Sequence, residues 1–395
     1  MRASILALAL LLNTAAWAAP PEVPALVPAR DPAWHIPLAP DTAGESQRPE
    51  AVRLREALAR YREIAAAGGW PEIPAGTMLQ TGQRDERVAL LRDRLRIGGD
   101  FSGIPATADA WFFDTPLQQA LQSFQRRHAL PESGQLDERT RAALNVPVAA
   151  RMQQLQATIT RWNWLPRDPG PRYLWINVPE GSLEYVDHRE TVLRMKVIAG
   201  HPSRPTPSFQ DEVRQIVVNP SWSVPPTIAV EDLLPAQQVD PDFFSRLGIR
   251  VFRGSGPDAR EMDARKIDWQ HVSPERFPYR LLQNPGPLNS LGRYKLTMTN
   301  TFDIYLHDTP SRRLFDLSSR TLSSGCIRLE QPEELVRLLL EGTPLPAGVA
   351  DRTRTRNVTL PRPIPVYIVY LTSWVTPTGE VNFRPDVYGR DAGLR

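Results

Sequence analysis

The sequence contains a single cysteine, Cys326, among its 395 residues. A lone cysteine excludes a disulfide within the chain, so this thiol is either an inert buried group or one retained for its chemistry. Long apolar runs are also lacking. The run from Ile5 to Leu12 is too short to span a bilayer, and no later segment reaches the roughly 20 apolar residues that a membrane helix requires. No integral membrane segment is therefore expected in the mature chain.

The net charge is small, and histidines are few. The net charge of +3 comes without any block of lysine and arginine, which argues against nucleic acid as a partner. His128, His188, His201 and His271 are scattered without the spacing of metal ligands, so we expect no metal site. A serine hydrolase is also disfavoured, because the chain has no Gly-x-Ser-x-Gly elbow.

The first residues indicate export. Arg2 precedes the apolar run, and Ala16-Trp17-Ala18 supplies the small residues that signal peptidase reads. We expect a signal peptide over residues 1–18 and a proline-rich leader over residues 19–49. An uncleaved N-terminal anchor is the alternative. No cysteine stands directly after the apolar run, so we do not expect a lipid-anchored lipoprotein.

The pattern from residue 50 to about residue 171 is helical. Apolar residues recur every three or four positions, which predicts helices around residues 54–61, 88–95 and 117–124. A short fourth helix is predicted over residues 137–144, after the turn at Ser133-Gly134. A further amphipathic helix carries Leu155, Ile159 and Trp162 on one face. We expect a helical scaffold over residues 50–83, a small helical module over residues 84–146 and a connecting helix over residues 147–171.

From residue 172 to residue 391 the pattern is typical of β-structure. Residues 173–178, 191–198 and 215–218 are predicted strands, and residues 366–375 with 381–383 are a predicted hairpin. Residues 227–283, which mix proline, glycine and charge, interrupt the strands and are expected to form a cap insertion. The predicted fold class is therefore α+β and multidomain, with a helical module followed by a β-rich domain that carries the insertion.

Cys326 and His307 form a candidate catalytic pair. The thiolate is the attacking form of cysteine, and a histidine is a suitable base to generate it. The two residues are 19 positions apart, too far for one helix face, so they must meet across strands or a loop. Gly325 permits close approach of the backbone, and the N–H of Cys326 with that of Gly325 or Ser324 would form an oxyanion hole. The backbone carbonyl of Asp308 is the candidate to orient His307.

Three segments of the β-rich region resemble the L,D-transpeptidases of bacterial cell walls, whose catalytic unit is the YkuD-type domain. They are residues Leu282 to Gly292, Ile304 to Pro310 and Ser323 to Arg328, and the likeness extends to residues 219–225, 366–374 and 381–391. The large, insertion-bearing periplasmic members of Gram-negative bacteria are the most similar. Residues 113–145 resemble the small three-helix peptidoglycan-binding module. The chain departs from the commonest pattern at Ser324, where many members have histidine.

The resemblance implies a cysteine acyltransferase that needs no cofactor and forms or remodels peptidoglycan cross-links in the periplasm. Cys326 would attack a tetrapeptide stem, release its D-alanine and leave a thioester, with His307 as general acid and base. The implied partners are peptidoglycan stem peptides and, as inhibitors, β-lactams of the carbapenem class. Two alternatives stay open. Water in place of the acceptor amine would give an L,D-carboxypeptidase or endopeptidase, and a dead catalytic domain would leave a wall-binding scaffold.

The remaining candidate residues each have two interpretations. Ser323 and Ser324 either support the oxyanion hole or shape a turn. Tyr305 shares a strand face with His307 and either packs in the core or contacts substrate. Arg328 either binds a diaminopimelate carboxylate through its guanidinium fork or forms a structural salt bridge.

Overall fold

The computed structural model describes residues 47–103, 108–254, 256–344 and 352–394. The predicted signal peptide and nearly all of the predicted leader lie outside the described residues. Within these ranges, no helix is both long enough and apolar enough to cross a membrane.

Five helices occupy the first third of the described chain, where the apolar spacing predicts them. They are α1 (Pro49–Ala66), α2 (Arg87–Gly98), α3 (Thr115–Arg127), α4 (Glu138–Leu144) and α5 (Val148–Trp162). Two carboxylates cap helix starts: Asp114 accepts from the Leu117 N–H at 3.0 Å, and Asp137 accepts from the Thr140 N–H at 2.7 Å. Helices α2, α3 and α4 enclose a core of their own around Leu91, Leu121 and Phe124.

The β-rich region is a closed sheet. Its strands are β1 (Arg172–Asn177), β2 (Ser182–Asp187), β3 (Glu190–Gly200), β4 (Phe209–Val218), β9 (Tyr294–Thr297), β10 (Leu306–His307), β11 (Thr321–Ser323), β12 (Ile327–Leu329) and β13 (Arg356–Val369). Eight of them follow the order β3-β12-β10-β9-β4-β13-β1-β2, and β2 pairs with β3 to complete the ring, while β11 joins β3. Closure gives a barrel-like sheet. Its core includes helix α9 (Pro332–Leu339).

The prediction that residues 366–375 form one continuous strand of the hairpin is wrong. Strand β13 ends at Val369, and the chain resumes as β14 (Ser373–Val375), which pairs with β15 (Val381–Phe383) in a separate two-stranded sheet. Side chains draw the backbone away from the ladder between these strands. The Asn177 amide bonds both the N–H and the carbonyl of Leu371, at 2.9 and 3.0 Å, and the Thr372 hydroxyl donates to Asp391 at 2.8 Å. The turn between β14 and β15 is present as predicted.

The residues predicted as an insertion form a subdomain with its own core. After β5 (Trp222–Ser223) come α6 (Pro226–Ile228), a π-helix (Ala229–Leu233), α7 (Leu234–Val239), α8 (Phe243–Arg246), β6 (Ile249–Arg253), β7 (Arg260–Met262) and β8 (Tyr279–Gln283). Strands β5, β8, β6 and β7 make a four-stranded sheet in that order. We call residues 226–283 the cap. Phe244, Trp269 and Leu281 are central to its core, and Tyr305 of the barrel packs against that core.

Helices α1 and α5 pack their apolar faces on the barrel. Leu54 and Tyr61 of α1 and Ile159 of α5 share a core with Val369 of β13 and Phe383 of β15. The amphipathic face predicted for α5 is thus buried against the β-rich region.

Candidate active site

Strand pairing determines which side chains surround His307. Strand β10 lies between β9, which is antiparallel to it, and β12, which is parallel. Leu306 pairs with core residues on both sides, whereas His307 is opposite Lys295 of β9 and Arg328 of β12. Because side chains alternate along a strand, Lys295, His307 and Arg328 form a row on the face away from the barrel core.

Cys326 lies directly before β12, at the end of a tight turn. Gly325 has φ +108°, a conformation that a residue with a side chain rarely adopts, and a Cβ there would lie 3.1 Å from Ile304 Cδ1. The Ser323 hydroxyl closes this turn, since it donates to the Cys326 carbonyl at 2.5 Å and accepts from the Gly325 N–H at 3.2 Å. The geometry gives the Ser323 side chain the role of a turn residue.

The same strand pair brings the cysteine close to the histidine. The Ile327 N–H donates to the Tyr305 carbonyl at 3.1 Å, which places Cys326 beside Tyr305. The Tyr305 ring is 5.6 Å from the His307 ring, centroid to centroid. Cys326 and His307 therefore belong to one cluster assembled by two neighbouring strands, the arrangement that their separation in sequence requires.

One backbone contact defines the tautomer of His307. Its Nδ1 lies 2.6 Å from the carbonyl oxygen of Asp308, the partner expected from sequence. A carbonyl only accepts, so Nδ1 carries the proton and Nε2 presents a lone pair. Burial, with smaller contributions from the charges of Arg328 and Lys295, lowers the pKa of His307 to about 3. The imidazole is therefore neutral near physiological pH and able to accept a proton.

The carbonyl that orients His307 is itself held in place. The Asp308 carboxylate accepts from the backbone N–H groups of Arg293 and Thr309, both at 2.7 Å. Gly292, with φ +61°, makes room for that carboxylate, because a Cβ there would lie 2.4 Å from it. Gly292, in the family-like segment before β9, thus supports the orientation of His307 indirectly, through Asp308.

The thiol is partly buried and protonated at rest. Burial raises the pKa of Cys326, while hydrogen bonding to Tyr305 and the positive charges of Lys295 and Arg328 act in the opposite direction. Its Sγ lies 3.6 Å from the Asp303 carbonyl. A protonated thiol and a neutral imidazole in one cluster favour proton transfer during attack over a preformed ion pair.

Donors for an oxyanion are available at the turn. The Gly325 N–H is already bonded to Ser323. Within the described part of the chain, the N–H groups of Ser324 and Cys326 donate no hydrogen bond. The Ser324 hydroxyl is occupied, since it accepts from Arg204 Nη1 at 2.8 Å. The backbone, rather than the serine side chains, therefore presents free donors beside the thiol.

Several residues around the site carry no sequence signal. Arg204 joins Ser324 to Glu231 and Asp232 of the cap, with contacts of 2.7–2.8 Å. Thr206 donates to the Gly325 carbonyl at 2.7 Å. These residues lie in a loop of no recognisable motif, and only strand pairing brings Lys295 beside His307. In the described ranges, no group of three or more His, Cys, Asp or Glu residues is arranged to hold a metal ion.

Known proteins share both parts of this architecture. Residues 171–347 match the profile of the L,D-transpeptidase catalytic domain, and residues 84–144 match that of a "Putative peptidoglycan binding domain". A Haemophilus influenzae protein named "Putative L,D-transpeptidase" is 35% identical over 222 residues, which are 55% of this chain and 44% of that protein. The chain thus covers less than half of that relative.

Solved structures of L,D-transpeptidases are also similar in part. The Mycobacterium smegmatis protein is 11% identical over 50% of this chain and 58% of its own, with a TM-score of 0.26. The Enterococcus faecium catalytic domain acylated by ertapenem is 13% identical over 50% of this chain and 97% of its own, with a TM-score of 0.25. The chain therefore combines a segment that matches the YkuD-type L,D-transpeptidase catalytic domain, residues 171–347, with a preceding segment that matches a peptidoglycan-binding domain, residues 84–144.

Proposed function

We propose that this protein is a periplasmic cysteine acyltransferase that forms or remodels peptidoglycan cross-links through a thioester on Cys326. The observation that carries the proposal is the placement of Cys326, directly before β12, next to strand β10, which holds His307. The Nε2 atom of His307 carries no proton there. The catalytic-domain profile supports the same chemistry. Export would follow from the signal peptide predicted over residues 1–18.

In the first half-reaction, the Cys326 sulfur attacks the carbonyl that joins the third residue of a tetrapeptide stem to its terminal D-alanine. The thiol proton passes to His307 Nε2 as the carbon–sulfur bond forms. The N–H groups of Cys326 and Ser324 stabilise the oxyanion of the tetrahedral intermediate. As that intermediate collapses, His307 returns the proton to the departing amine, D-alanine leaves and a thioester remains.

In the second half-reaction, the side-chain amine of another stem attacks the thioester carbonyl. His307 removes a proton from that amine and then protonates the departing Cys326 sulfur, which restores the resting enzyme. The new amide is the cross-link. Water in place of the amine would give hydrolysis by the same steps, so access to the thioester decides the product. The cap, whose core contacts Tyr305, is placed to control that access.

The helical module assists docking on the cell wall in this proposal and performs no chemistry. Residues 84–144 match a peptidoglycan-binding profile, and the module supplies neither a nucleophile nor paired carboxylates. Anchoring the enzyme to the polymer would raise the local concentration of stem peptides at the catalytic domain.

The test is incubation of the purified protein with disaccharide tetrapeptides, with products identified by mass. We expect cross-linked dimers, free D-alanine and, with a carbapenem, one acyl group per chain on Cys326. Cys326→Ala should yield no adduct and no product. His307→Ala should slow acylation by roughly 10²–10⁴-fold, the scale of general base catalysis, and raising the pH should partly restore the rate.

The outcomes separate the alternatives. Tripeptide and D-alanine without dimers would indicate a hydrolase. An adduct on the Cys326→Ala protein, or a His307→Ala protein acylated at the wild-type rate, would contradict the mechanism.

A further inference from the structure

Two cationic side chains flank His307, and among the described residues neither has a carboxylate partner. Lys295 and Arg328 are opposite His307 on either side of β10, and adjacent strands lie about 4.8 Å apart. Both charges act on the Cys326 thiol as well as on the imidazole. The two cations therefore border both groups that take part in the proposed reaction.

Arg328 is a partly buried arginine with unmet hydrogen-bonding capacity. Its Nε is shielded from solvent and has no acceptor among the described residues. Two buried arginines elsewhere in the chain are neutralised by carboxylates: Arg127 binds Asp100, and Arg161 binds Asp391, each at 2.5 Å. In the described ranges, no carboxylate oxygen lies within 4.0 Å of the Arg328 guanidinium. A salt bridge within the protein, one of the two interpretations of Arg328 from sequence, is not formed there.

Lys295 likewise has no carboxylate partner in the described part of the chain, and it is held over an aromatic face. Its Nζ lies 3.8 Å from the centroid of the Tyr305 ring, a cation–π contact that keeps the ammonium beside the cysteine turn. Asp303 acts on Lys295 through its charge, yet within the described residues no carboxylate oxygen approaches Nζ to 4.0 Å. Because unpaired charges are costly when they lose solvent, two such cations in one site favour an anion supplied from outside.

We propose that Lys295 and Arg328 form a subsite for the free carboxylate of the residue that is released from the donor stem. This assignment rests on the proposed function. In a tetrapeptide, the terminal carboxylate is only three bonds from the carbonyl that Cys326 attacks, so it must lie close to the thiol and the histidine. The guanidinium fork of Arg328 suits a carboxylate, and the lysine ammonium adds a second charge. The subsite makes a free C-terminus a requirement for the donor.

Binding of the carboxylate also prepares the base. The charges of Lys295 and Arg328 oppose protonation of His307, together with burial. A bound carboxylate offsets those charges, so the imidazole becomes a better proton acceptor when a donor is in place. Recognition and activation are thereby linked.

The sole cysteine allows a direct test. Iodoacetate and iodoacetamide alkylate the same thiol but differ in one carboxylate, and the only cysteine in this chain is Cys326. The ratio of the two alkylation rates therefore measures attraction of a carboxylate to the site. We expect Lys295→Met and Arg328→Met each to lower that ratio by about tenfold, the lower end for a hydrogen bond to a charged group.

The control variant is Lys266→Met, which removes an equal charge from a lysine of the cap and should leave the ratio unchanged. Arg328→Lys should keep most of the ratio. If Arg328→Met does not fold, the partly exposed Lys295 reports on the same subsite. A wild-type ratio in Lys295→Met would overturn the proposal.

A second measurement separates this inference from the proposed function, because alkylation requires no turnover. The wild-type protein is given a tetrapeptide and its C-terminal amide, and the acyl-enzyme is followed by mass. We expect acylation by the acid and at least tenfold slower acylation by the amide. Equal rates would refute the subsite and leave the function standing. No acylation by either peptide would refute the function, while the alkylation ratio would still decide the subsite.

Discussion

At the scale of single residues, the molecule keeps an uncharged histidine where an imidazolium would be unstable. His307 is buried, bonded through Nδ1 to a carbonyl and flanked by two cations. Each of these features except the hydrogen bond disfavours the charged form. In the proposed mechanism the protein thus obtains a general base at a cost in acid stability, because below the unfolded pKa the unfolded chain binds a proton that the folded chain does not.

This balance predicts the acid sensitivity of the fold. The folded pKa of His307, about 3, is below its unfolded value of about 6.5. The stability from the neutral imidazole is therefore complete above pH ~6.5 and is lost as the pH falls toward the folded pKa. At pH ~5.5 the wild type should lose about 1.4 kcal/mol that His307→Gln, which does not titrate, retains. Urea unfolding of both proteins, above pH ~6.5 and at pH ~5.5, measures this difference.

The matched control is His188→Gln, in which the histidine side chain removed is 88% exposed. It should show the full wild-type loss. If His307→Gln loses as much stability on acidification as the wild type does, the imidazole is not neutral in the folded protein.

At the scale of elements, the cap is attached to the nucleophile turn through one arginine. Arg204 donates to both carboxylate oxygens of Asp232 and to Glu231 on the π-helix of the cap, and to the Ser324 hydroxyl beside Cys326. The ion pairs are partly exposed, so each contributes at most about 1 kcal/mol. Contacts of that strength suit a link that closes over a substrate and opens again.

Cutting this link should loosen the cap and admit water. We expect Arg204→Met to raise the rate of amide hydrogen exchange in residues 226–239 by about fivefold, the effect of roughly 1 kcal/mol. The ratio of hydrolysis to transfer should rise with it, since a loosened cap shields the thioester less. Exchange followed by mass spectrometry, and product analysis, measure the two effects.

Arg246→Met serves as the comparison, because Arg246 pairs with Asp240 at the exposed surface of the same cap. It should change neither quantity. Faster exchange in Arg204→Met without any change in product ratio would mean that the cap does not exclude water.

At the scale of the whole molecule, the helical segments and the barrel depend on one another. Helices α1 and α5 share a core with β13, β14 and β15. Arg127 at the end of α3 binds Asp100 through two 2.5 Å contacts and donates to the Val381 carbonyl at 3.1 Å. Removing the helical segments would expose apolar surface of the barrel, so point variants test their role better than truncation does.

Arg127→Met should destabilise the protein by about 3–5 kcal/mol, because it leaves the Asp100 carboxylate buried without a counter-charge. The free energy of unfolding in urea gives the value. Arg126→Met is the neighbouring control: Arg126 is 57% exposed and pairs with Glu132 at 3.4 Å, so its loss should cost less than about 1 kcal/mol. Equal losses in the two variants would argue against a supporting role for the buried pair.

The sequence by itself determined the local elements and named the candidate reactive pair. Apolar spacing predicted four of the five N-terminal helices, since an amphipathic face is a property of the segment alone. Strands β1, β3 and β4 were predicted for the same reason. Cys326, His307 and the Asp308 carbonyl could be named because their chemistry depends on residue type and on neighbours in the chain.

Only the tertiary structure decided what surrounds that pair. The end of β13 at Val369 depends on hydrogen bonds from Asn177, a residue nearly 200 positions away. Lys295 reaches His307 through the register of β9 on β10, and Arg204 reaches Ser324 across 120 positions. Strand register and long-range hydrogen bonds are set by packing of the whole chain, so no local pattern reports them. The candidate reactive groups could therefore be identified from the sequence, whereas the charges that shift their pKa values are placed only by the fold.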